Sequence, residues 1–276
     1  MEPGVAAYRP LSVSDLIDET IRIFRNNFLL FCGIGAVLMI PAGLIMLIQQ
    51  IAVQQHGSDL AFSLLTSFLV SLVRAIVYVG VLAATFHAFT EIRAGRKTSV
   101  IDSYNIGLEH FVAMLWTTFL VVFMLVLISI TVIGIPAAIY LSISWLFALH
   151  ATAFERKFGW SVLARSRALV KGEWLRVFGI TILVGIIAGL ANLVFSIPNI
   201  ALGVAEALGS EGATFRAVAA SISVIFSTAG WIVTGPIIYI SSILLYFDLR
   251  ARKEGYDLEM MANQAEADAR SAAPQS

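Results

Sequence analysis

Four long stretches of this sequence contain no aspartate, glutamate, lysine or arginine: residues 26–58, 111–154, 177–205 and 217–247. About 20 apolar residues in a helix are enough to cross the hydrocarbon of a bilayer, so each stretch is long enough for at least one crossing. Over the whole chain of 276 residues, 13% are charged, which is about half the share found in ordinary soluble domains. The sequence therefore predicts a membrane protein rather than a water-soluble one.

The number of crossings follows from where these stretches are interrupted. The stretch 111–154 is too long for one helix, and Gly134 and Pro136 break it near its middle. Residues 60–90 form a further apolar stretch in which Arg74 is the only charged residue. We therefore predict an all-α polytopic membrane protein with six transmembrane helices arranged as three hairpins. The predicted spans are residues 28–51, 63–89, 111–132, 136–154, 177–200 and 222–247.

The basic residues indicate how the chain is threaded. If six spans are assumed, sixteen of the eighteen lysines and arginines lie on one side, Arg216 lies on the other, and Arg74 lies within a span. Basic residues concentrate on the cytoplasmic side of membrane proteins, so we expect both termini in the cytoplasm and the protein in the plasma (inner) membrane. Span one is too long for the apolar region of a signal peptide and lacks a small-residue cleavage site, so we expect it to remain as an uncleaved anchor.

About 15 amphipathic residues precede each of spans one, three and five. Ser12 with Asp15, and Ser99 with Asp102, resemble capping boxes at the start of the first two of these segments. All three segments fall on the side rich in basic residues, and we predict helices that lie in the cytoplasmic interface of the membrane. The first and third also align without gaps at 23–29 and 169–175. Either a parallel threefold duplication or the general pattern of an amphipathic helix that leads into a span explains this alignment.

Three motifs resemble a known family. They are RPLS with LIDETIRIFRNNF at 9–12 and 16–28, ARSRALVKG at 164–172, and YFDLRARKEGYDLE at 246–259. Together they are similar to prokaryotic integral membrane proteins classed with the membrane domain of glycerophosphoryl diester phosphodiesterase, and the likeness extends over essentially the whole chain. The resemblance implies a multi-pass protein of the plasma membrane, in most members without an assigned activity.

The phosphodiesterase activity itself is not expected here. A phosphodiesterase barrel needs roughly 200 residues or more, whereas residues 1–27 and 248–276 are the longest segments outside the predicted spans. The sequence also lacks the HExxH, GxSxG and GxxxxGK patterns, and the predicted span interiors contain no aspartate or glutamate. We therefore predict that the protein is not an enzyme and binds no cofactor.

The histidines and the cysteine offer little metal-binding chemistry. The single cysteine, Cys32, excludes an intramolecular disulfide and a multi-cysteine metal site. His87 and Glu91 are one helical turn apart and would share a metal ion with His150 if spans two and four touch. The alternative is that these histidines form hydrogen bonds with water or backbone groups at the membrane interface, and we predict no metal site.

Arg74 is the charged residue that most needs an explanation, because a guanidinium in the middle of a span costs roughly 2.5–3.5 kcal/mol on insertion scales. One interpretation is that span two begins later than drawn and Arg74 snorkels to the outer leaflet. Another is a contact with an anion or a lipid headgroup, and a third is structural pairing. The candidate protein partners are Ser196, Ser227, Asp59 and Glu206.

Small residues and prolines mark several spans. Gly185 and Gly189 form a GxxxG pair in span five, which predicts close helix packing either within the bundle or between two copies of the chain. Four prolines lie in or at the ends of spans, and they indicate either ordinary kinks or the broken helices of a transport pathway. These prolines are Pro41, Pro136, Pro198 and Pro236.

The segment after span six carries a dense group of charges. Asp248 and Arg252 are spaced for an i,i+4 pair, and Arg250 lies between them. We predict a cytoplasmic network of these three residues with Arg165 and Arg167, in which Asp248 pairs with one of the latter two. Gly255 is a natural helix stop. Residues 1–253 are therefore predicted to form one transmembrane domain, and residues 254–276 a disordered cytoplasmic tail.

Two functional hypotheses follow from these features. The first is a non-enzymatic scaffold, assembly factor or regulator that interacts with membrane lipids or with other membrane proteins. The second is a transporter or exporter subunit for a lipid or small anion, for which Arg74 and the prolines argue. A membrane-embedded hydrolase ranks third. The net charge is zero, so no basic field argues for a nucleic-acid partner. Oligomeric state does not follow from the sequence.

Overall fold

The computed structural model describes residues 11–56, 59–207 and 212–272, and these residues are almost entirely helical. Ten α-helices are found in this part of the chain, together with a short 3-10 helix at Leu108–His110. The α-helices are α1 (Val13–Asn26), α2 (Phe28–His56), α3 (Leu60–Arg93), α4 (Val100–Gly107), α5 (Phe111–Ser129), α6 (Gly134–Ser144), α7 (Ala148–Glu155), α8 (Trp160–Val170), α9 (Trp174–Ala207) and α10 (Ala213–Ala272).

Six segments of the described chain are long and apolar enough to cross a membrane, which confirms the all-α, six-span fold. They are Phe28–Val53, Leu60–Arg93, Val100–Ser129, Gly134–Glu155, Trp174–Ala205 and Ser221–Gly255. Most are several residues longer than the predicted spans. The predicted spans cover only apolar sequence, whereas the helices continue into the polar residues that flank it. The fourth consists of two helices, α6 and α7, in succession.

The ends of the helices show how the hairpins are arranged. Glu19 of α1 forms a salt bridge with Arg93 at the end of α3, and the Tyr104 hydroxyl of α4 donates a hydrogen bond to the Ile34 carbonyl near the start of α2. Arg165 of α8 likewise forms a salt bridge with Glu254 of α10. Helices α1, α4 and α8 therefore lie at the same end of the bundle. We call this end the basic side. It carries the lysines and arginines that precede spans one, three and five and those that follow span six.

Helix α10 lies at the centre of the bundle and packs against α9, α2, α1, α3 and α8. Its residues from Tyr239 to Leu249, which include the fully buried Tyr246, form the main core together with the residues of α3 from Val79 to Phe89. Two glycines of α2 permit close contact with α10. A Cβ on Gly43 would lie 2.8 Å from Thr228 Oγ1, and one on Gly35 would lie 3.5 Å from Ile232 Cα. Close packing of α2 on α10 therefore joins the first hairpin to the third.

Three short helices, α1, α4 and α8, precede the first, third and fifth predicted spans. Helices α1 and α4 begin at the serines that were predicted to cap them. Ser12 and Asp15 form a reciprocal capping box at the start of α1, and Ser99 caps the Asp102 N–H of α4. The long helices α2, α5 and α9 begin at the aromatic residues Phe28, Phe111 and Trp174, which are the positions that correspond in the proposed threefold duplication. Both the duplication and the location of these helices in a membrane interface remain predictions.

Two features of the fold differ from the sequence-based expectation. Helix α10 continues through Gly255 as far as Ala272, so residues 254–272 are helical rather than disordered, and only residues 273–276 of the predicted tail lie outside the described chain. The stretch 260–272 is rich in alanine, methionine, glutamate and glutamine, which are strong helix formers, and it contains no proline. The second feature is the break between α6 and α7 at residues 145–147, which no glycine or proline marks.

Candidate functional site

Asp248 on α10 is the most deeply buried charged residue among those described. Its side chain has no exposed surface. Arg176 of α9 donates from Nη1 to Asp248 Oδ2 at 2.7 Å, and Arg252 donates from Nε to the same oxygen at 3.0 Å. The backbone N–H of Leu11 donates to Asp248 Oδ1 at 2.7 Å. Both carboxylate oxygens are therefore occupied, which a buried carboxylate requires if it is to remain charged.

The same two arginines also bind the Leu11 carbonyl oxygen. Arg176 Nη2 and Arg252 Nη2 each lie 2.8 Å from it. One peptide segment, immediately before the Ser12 cap of α1, is thus held through its donor and its acceptor by α9 and α10. We call this group of Leu11, Arg176, Asp248 and Arg252 the Leu11 clamp. It fixes the beginning of α1 to the last two spans of the bundle.

A second group of charges is centred on Glu155, at the end of α7. Arg165 Nε lies 2.8 Å from both carboxylate oxygens of Glu155, and the Tyr246 hydroxyl donates to Oε1 at 2.8 Å. Lys157 adds an ion pair at 3.0 Å. Partial burial lowers the pKa of the Arg165 guanidinium, but its hydrogen bonds to acidic partners outweigh this effect and leave the pKa above its usual value. Arg165 therefore stays charged throughout the physiological range.

Glu254 extends this second group along α10. Its carboxylate accepts hydrogen bonds from Arg165 Nη2 at 2.5 Å and from Arg250 Nε at 2.7 Å. The preceding residue, Lys253, donates from Nζ to the carbonyl oxygens of Ala168 and Lys171 at 2.6 Å, and so binds carbonyls at the C-terminal end of α8. Helix α8 is therefore fixed to α10 at both its middle and its end.

The structure brings four of the five predicted network residues into ion pairs, but not in the predicted pairing. Asp248 pairs with Arg176 and Arg252 rather than with Arg165 or Arg167. Residues 248 and 252 lie on one side of α10, which faces α9 and the start of α1. Residues 250 and 254 lie on another side, which faces α8. The sequence-based reasoning missed Arg176 and Glu155. Both lie at the ends of apolar stretches, but only the packing of spans four, five and six shows which partners they have.

Helix α8 packs against the break between α6 and α7 and supplies hydrogen-bond partners there. The Ser166 hydroxyl accepts a hydrogen bond from the Phe147 N–H at 3.1 Å and donates one to the Ser144 carbonyl at 2.9 Å. These are two of the backbone groups that the break between α6 and α7 would otherwise leave without partners in an apolar environment. Ser166 is completely buried, together with Val162 and Leu163. The break is therefore maintained by a tertiary contact with α8.

The opposite face of α8 lines a cavity of about 720 Å³ between α8 and the end of α6. We call it the α8 pocket. Its lining contains three aromatic side chains and two cationic ones, and no acidic residue. The lining residues are Tyr140, Trp145, Trp160, Leu163, Ala164, Arg167, Ala168 and Lys171. Arg167, the fifth member of the predicted network, thus faces this pocket instead of the ion pairs around Asp248 and Glu155.

Arg74 lies on the outside of the bundle. Its side chain is exposed, and the contact it makes within the described chain is from Nη2 to the Met46 sulfur at 3.7 Å. Asp59, one of the predicted partners, instead caps the N-terminus of α3, and the side chain of Glu206 lies outside the described residues. Helix α3 begins at Leu60, earlier than the predicted span. The structure therefore does not bring Arg74 together with a predicted protein partner, and a lipid contact remains a prediction.

Gly185 and Gly189 do not mediate close packing within the described bundle. A Cβ added to either glycine would meet no atom within 4 Å, and both residues are exposed on α9. The prediction of tight packing inside the bundle is therefore wrong for this pair, because the face that packs on α10 is formed by Val184 and Ala188. Association between two copies of the chain remains a prediction.

Glu91 and His150 each form hydrogen bonds within the described chain, and the four prolines lie within helices or in a first turn. Glu91 binds Arg96 through two hydrogen bonds, and His150 Nε2 lies 3.1 Å from the Ser242 hydroxyl. Among the residues that the structure describes, no group of three or more histidine, cysteine or acidic side chains could hold a metal ion. Pro41, Pro198 and Pro236 lie inside continuous helices, and Pro136 lies in the first turn of α6.

Comparison of the sequence with models of known protein families, with curated proteins and with solved structures finds no match. The likeness to the glycerophosphoryl diester phosphodiesterase membrane-domain family therefore remains a prediction.

Proposed function

We propose that this chain is a non-enzymatic multi-pass protein of the plasma membrane that acts as a scaffold, assembly factor or regulator through contacts with lipids or partner membrane proteins. The observation that carries the proposal is the concentration of ordered polar structure on the basic side. The Leu11 clamp and the ion pairs of Glu155 and Glu254 hold α1 and α8 rigidly against the bundle. A rigid charged surface at one face of a membrane protein suits recognition.

We further propose that the basic side faces the cytoplasm, with both termini there. The positive-inside rule supports this orientation, because the loops and short helices of this side contain nearly all lysines and arginines. The test is cysteine labelling in intact cells after Cys32 is replaced by alanine. A cysteine at Val132, in the exposed turn between α5 and α6, should react with a membrane-impermeant maleimide, whereas one at Lys97 should react only after permeabilisation. The reverse pattern would refute the orientation.

Contacts with partners are testable by site-specific cross-linking. A photoreactive residue in place of Ile21 or Ile101, both exposed on the basic side, should give discrete cross-linked products with lipids or membrane proteins. The matched control is the same residue at Val132, on the opposite side of the bundle, where we expect no discrete products. Equal products at both sides would contradict a recognition surface restricted to the basic side.

A transporter or exporter subunit is the alternative function, and the break between α6 and α7 is the observation that favours it. Discontinuous helices often line substrate and ion sites in transporters. In this chain the Ser166 hydroxyl already binds the Phe147 N–H and the Ser144 carbonyl at the break. We therefore favour the scaffold, and solute flux catalysed by the purified protein alone in liposomes would overturn that choice.

A further inference from the structure

The α8 pocket carries positive charge that the protein does not neutralise. Arg167 is exposed on α8, and Lys171, the exposed residue at which the helix ends, follows it four residues later. Glu155 and Glu254 both bind Arg165 on a different face of the helix, and Glu173 follows Lys171 by two residues. Within the part of the chain that the structure describes, no ion pair is formed by either pocket cation. Both cations are therefore available to an anion that enters the pocket.

The aromatic lining places this charge at the depth where lipid headgroups lie. Trp145, Trp160 and Tyr140 contribute to the walls, and tryptophan and tyrosine are enriched at the interface between hydrocarbon and water. The Tyr140 ring stacks on Trp174 at a centroid distance of 5.6 Å, and the Trp174 indole N–H donates to the Tyr140 carbonyl oxygen at 3.1 Å. This wall is thus fixed to the first residue of α9.

Helix α6, which contributes Tyr140 to the pocket, also has exposed apolar side chains. Ile135 and Ile139 precede Tyr140 on this helix and are about half exposed, so they offer a surface for an acyl chain. The cavity of about 720 Å³ falls within the range of small-molecule sites. A soluble anion would use the two cations but would leave this apolar surface without a function.

We propose that the α8 pocket binds the phosphate-bearing headgroup of an anionic phospholipid, with Arg167 and Lys171 contacting the phosphate and an acyl chain lying along α6. The guanidinium and ammonium groups donate charge-assisted hydrogen bonds to phosphate oxygens. This proposal deepens the lipid contacts of the proposed function. Binding in detergent does not depend on membrane orientation or on partner proteins, so its failure is distinguishable from failure of the scaffold or of the cytoplasmic assignment.

The test uses the full-length protein in a neutral detergent, titrated with dioctanoyl phosphatidylglycerol and followed by native mass spectrometry and thermal stabilisation. The Arg167→Gln and Lys171→Gln double variant should bind at least about tenfold more weakly, since each basic residue near an anionic headgroup contributes on the order of a factor of five. The matched control is Arg25→Gln with Lys97→Gln, which removes two exposed cations of the same side outside the pocket and should change binding less than twofold.

Further measurements separate the proposal from its rivals. A swap variant, Arg167→Lys with Lys171→Arg, keeps both charges and should retain binding, which shows that loss in the glutamine variant reflects charge rather than misfolding. Dioctanoyl phosphatidylcholine should bind at least about tenfold more weakly than the anionic lipid. Equal loss in pocket and control variants, equal binding of the two lipids, or equal stabilisation by glycerol 3-phosphate without acyl chains would each overturn the proposal.

Discussion

Replacing Asp248 by asparagine tests whether the Leu11 clamp holds the bundle together. The substitution keeps the shape of the side chain and removes its charge. Asp248 is completely buried and binds two guanidinium groups and one backbone N–H. Removing one partner of such a buried group leaves the other charges uncompensated and costs about 3–5 kcal/mol. Because the side chains of Arg176 and Arg252 are 19% and 31% exposed, water relieves part of this penalty.

We therefore expect Asp248→Asn to lower the free energy of unfolding by about 3 kcal/mol, the lower end of that range. The assay is reversible unfolding in mixed detergent–SDS micelles, followed by circular dichroism. Hydrogen exchange supplies a local measurement, because amide groups of α1 should exchange faster once the Leu11 peptide is released, while those of the α5–α6 hairpin should not change.

The matched control is Asp18→Asn, which makes the same chemical change at an exposed position of α1 and should alter stability by less than about 0.5 kcal/mol. If Asp248→Asn costs no more than this control, the clamp contributes nothing measurable and the reasoning is refuted. A double variant with Arg176→Gln adds a second criterion. The two losses should be strongly non-additive, because both substitutions remove the same ion pair.

Three further substitutions test other parts of the structure. Ser166→Ala should lower the free energy of unfolding by about 2 kcal/mol or more, because two buried backbone groups at the α6–α7 break lose their partner. Gly107→Ala should destabilise by about 1–3 kcal/mol, since the added Cβ would lie 2.6 Å from the Ala83 carbonyl oxygen. Arg74→Leu should leave stability unchanged within about 0.5 kcal/mol, because the exposed guanidinium donates only to a thioether sulfur in the described bundle. All three are measured by the same micellar unfolding.

Each of these predictions has its own control or refuting result. Ser161→Ala removes a hydroxyl from an exposed position of α8 and should be nearly neutral, so equal losses at Ser161 and Ser166 would argue against a special role for the break. Gly179→Ala places a Cβ in open space and should not destabilise. A loss above about 2 kcal/mol for Arg74→Leu would reveal a structural pairing of this residue.

The number of spans was predictable because two independent physical signals agree. Apolar length is required by the thickness of the bilayer, and the alternation of basic residues is set by insertion across it. The starts of α1 and α4 were predictable for a local reason, since Ser12 and Ser99 cap backbone N–H groups only three residues away. Features that depend on residues near in sequence, or on the bilayer itself, are therefore visible in one sequence.

The partners of the buried charges were not predictable, because they depend on how the spans pack. Asp248 is 72 residues from Arg176 and 237 from Leu11. The α6–α7 break has no proline or glycine to mark it and exists because Ser166 binds the freed backbone groups. The Gly185 and Gly189 pair shows the same dependence on packing. Their spacing places both glycines on one face of α9, but it does not show whether another helix packs against that face.

The distribution of buried residues supports the proposal that recognition occurs on the basic side. In α3 the buried residues cluster at 79–89, whereas residues 60–78 include a single buried side chain, Val70. In α5 they are Met114 and Thr117, both near its start. The opposite ends of these hairpins therefore have fewer side chains buried within the described bundle. A binding surface must hold its side chains in fixed positions, and the basic side, where the core and the ion pairs coincide, is where this fold holds them.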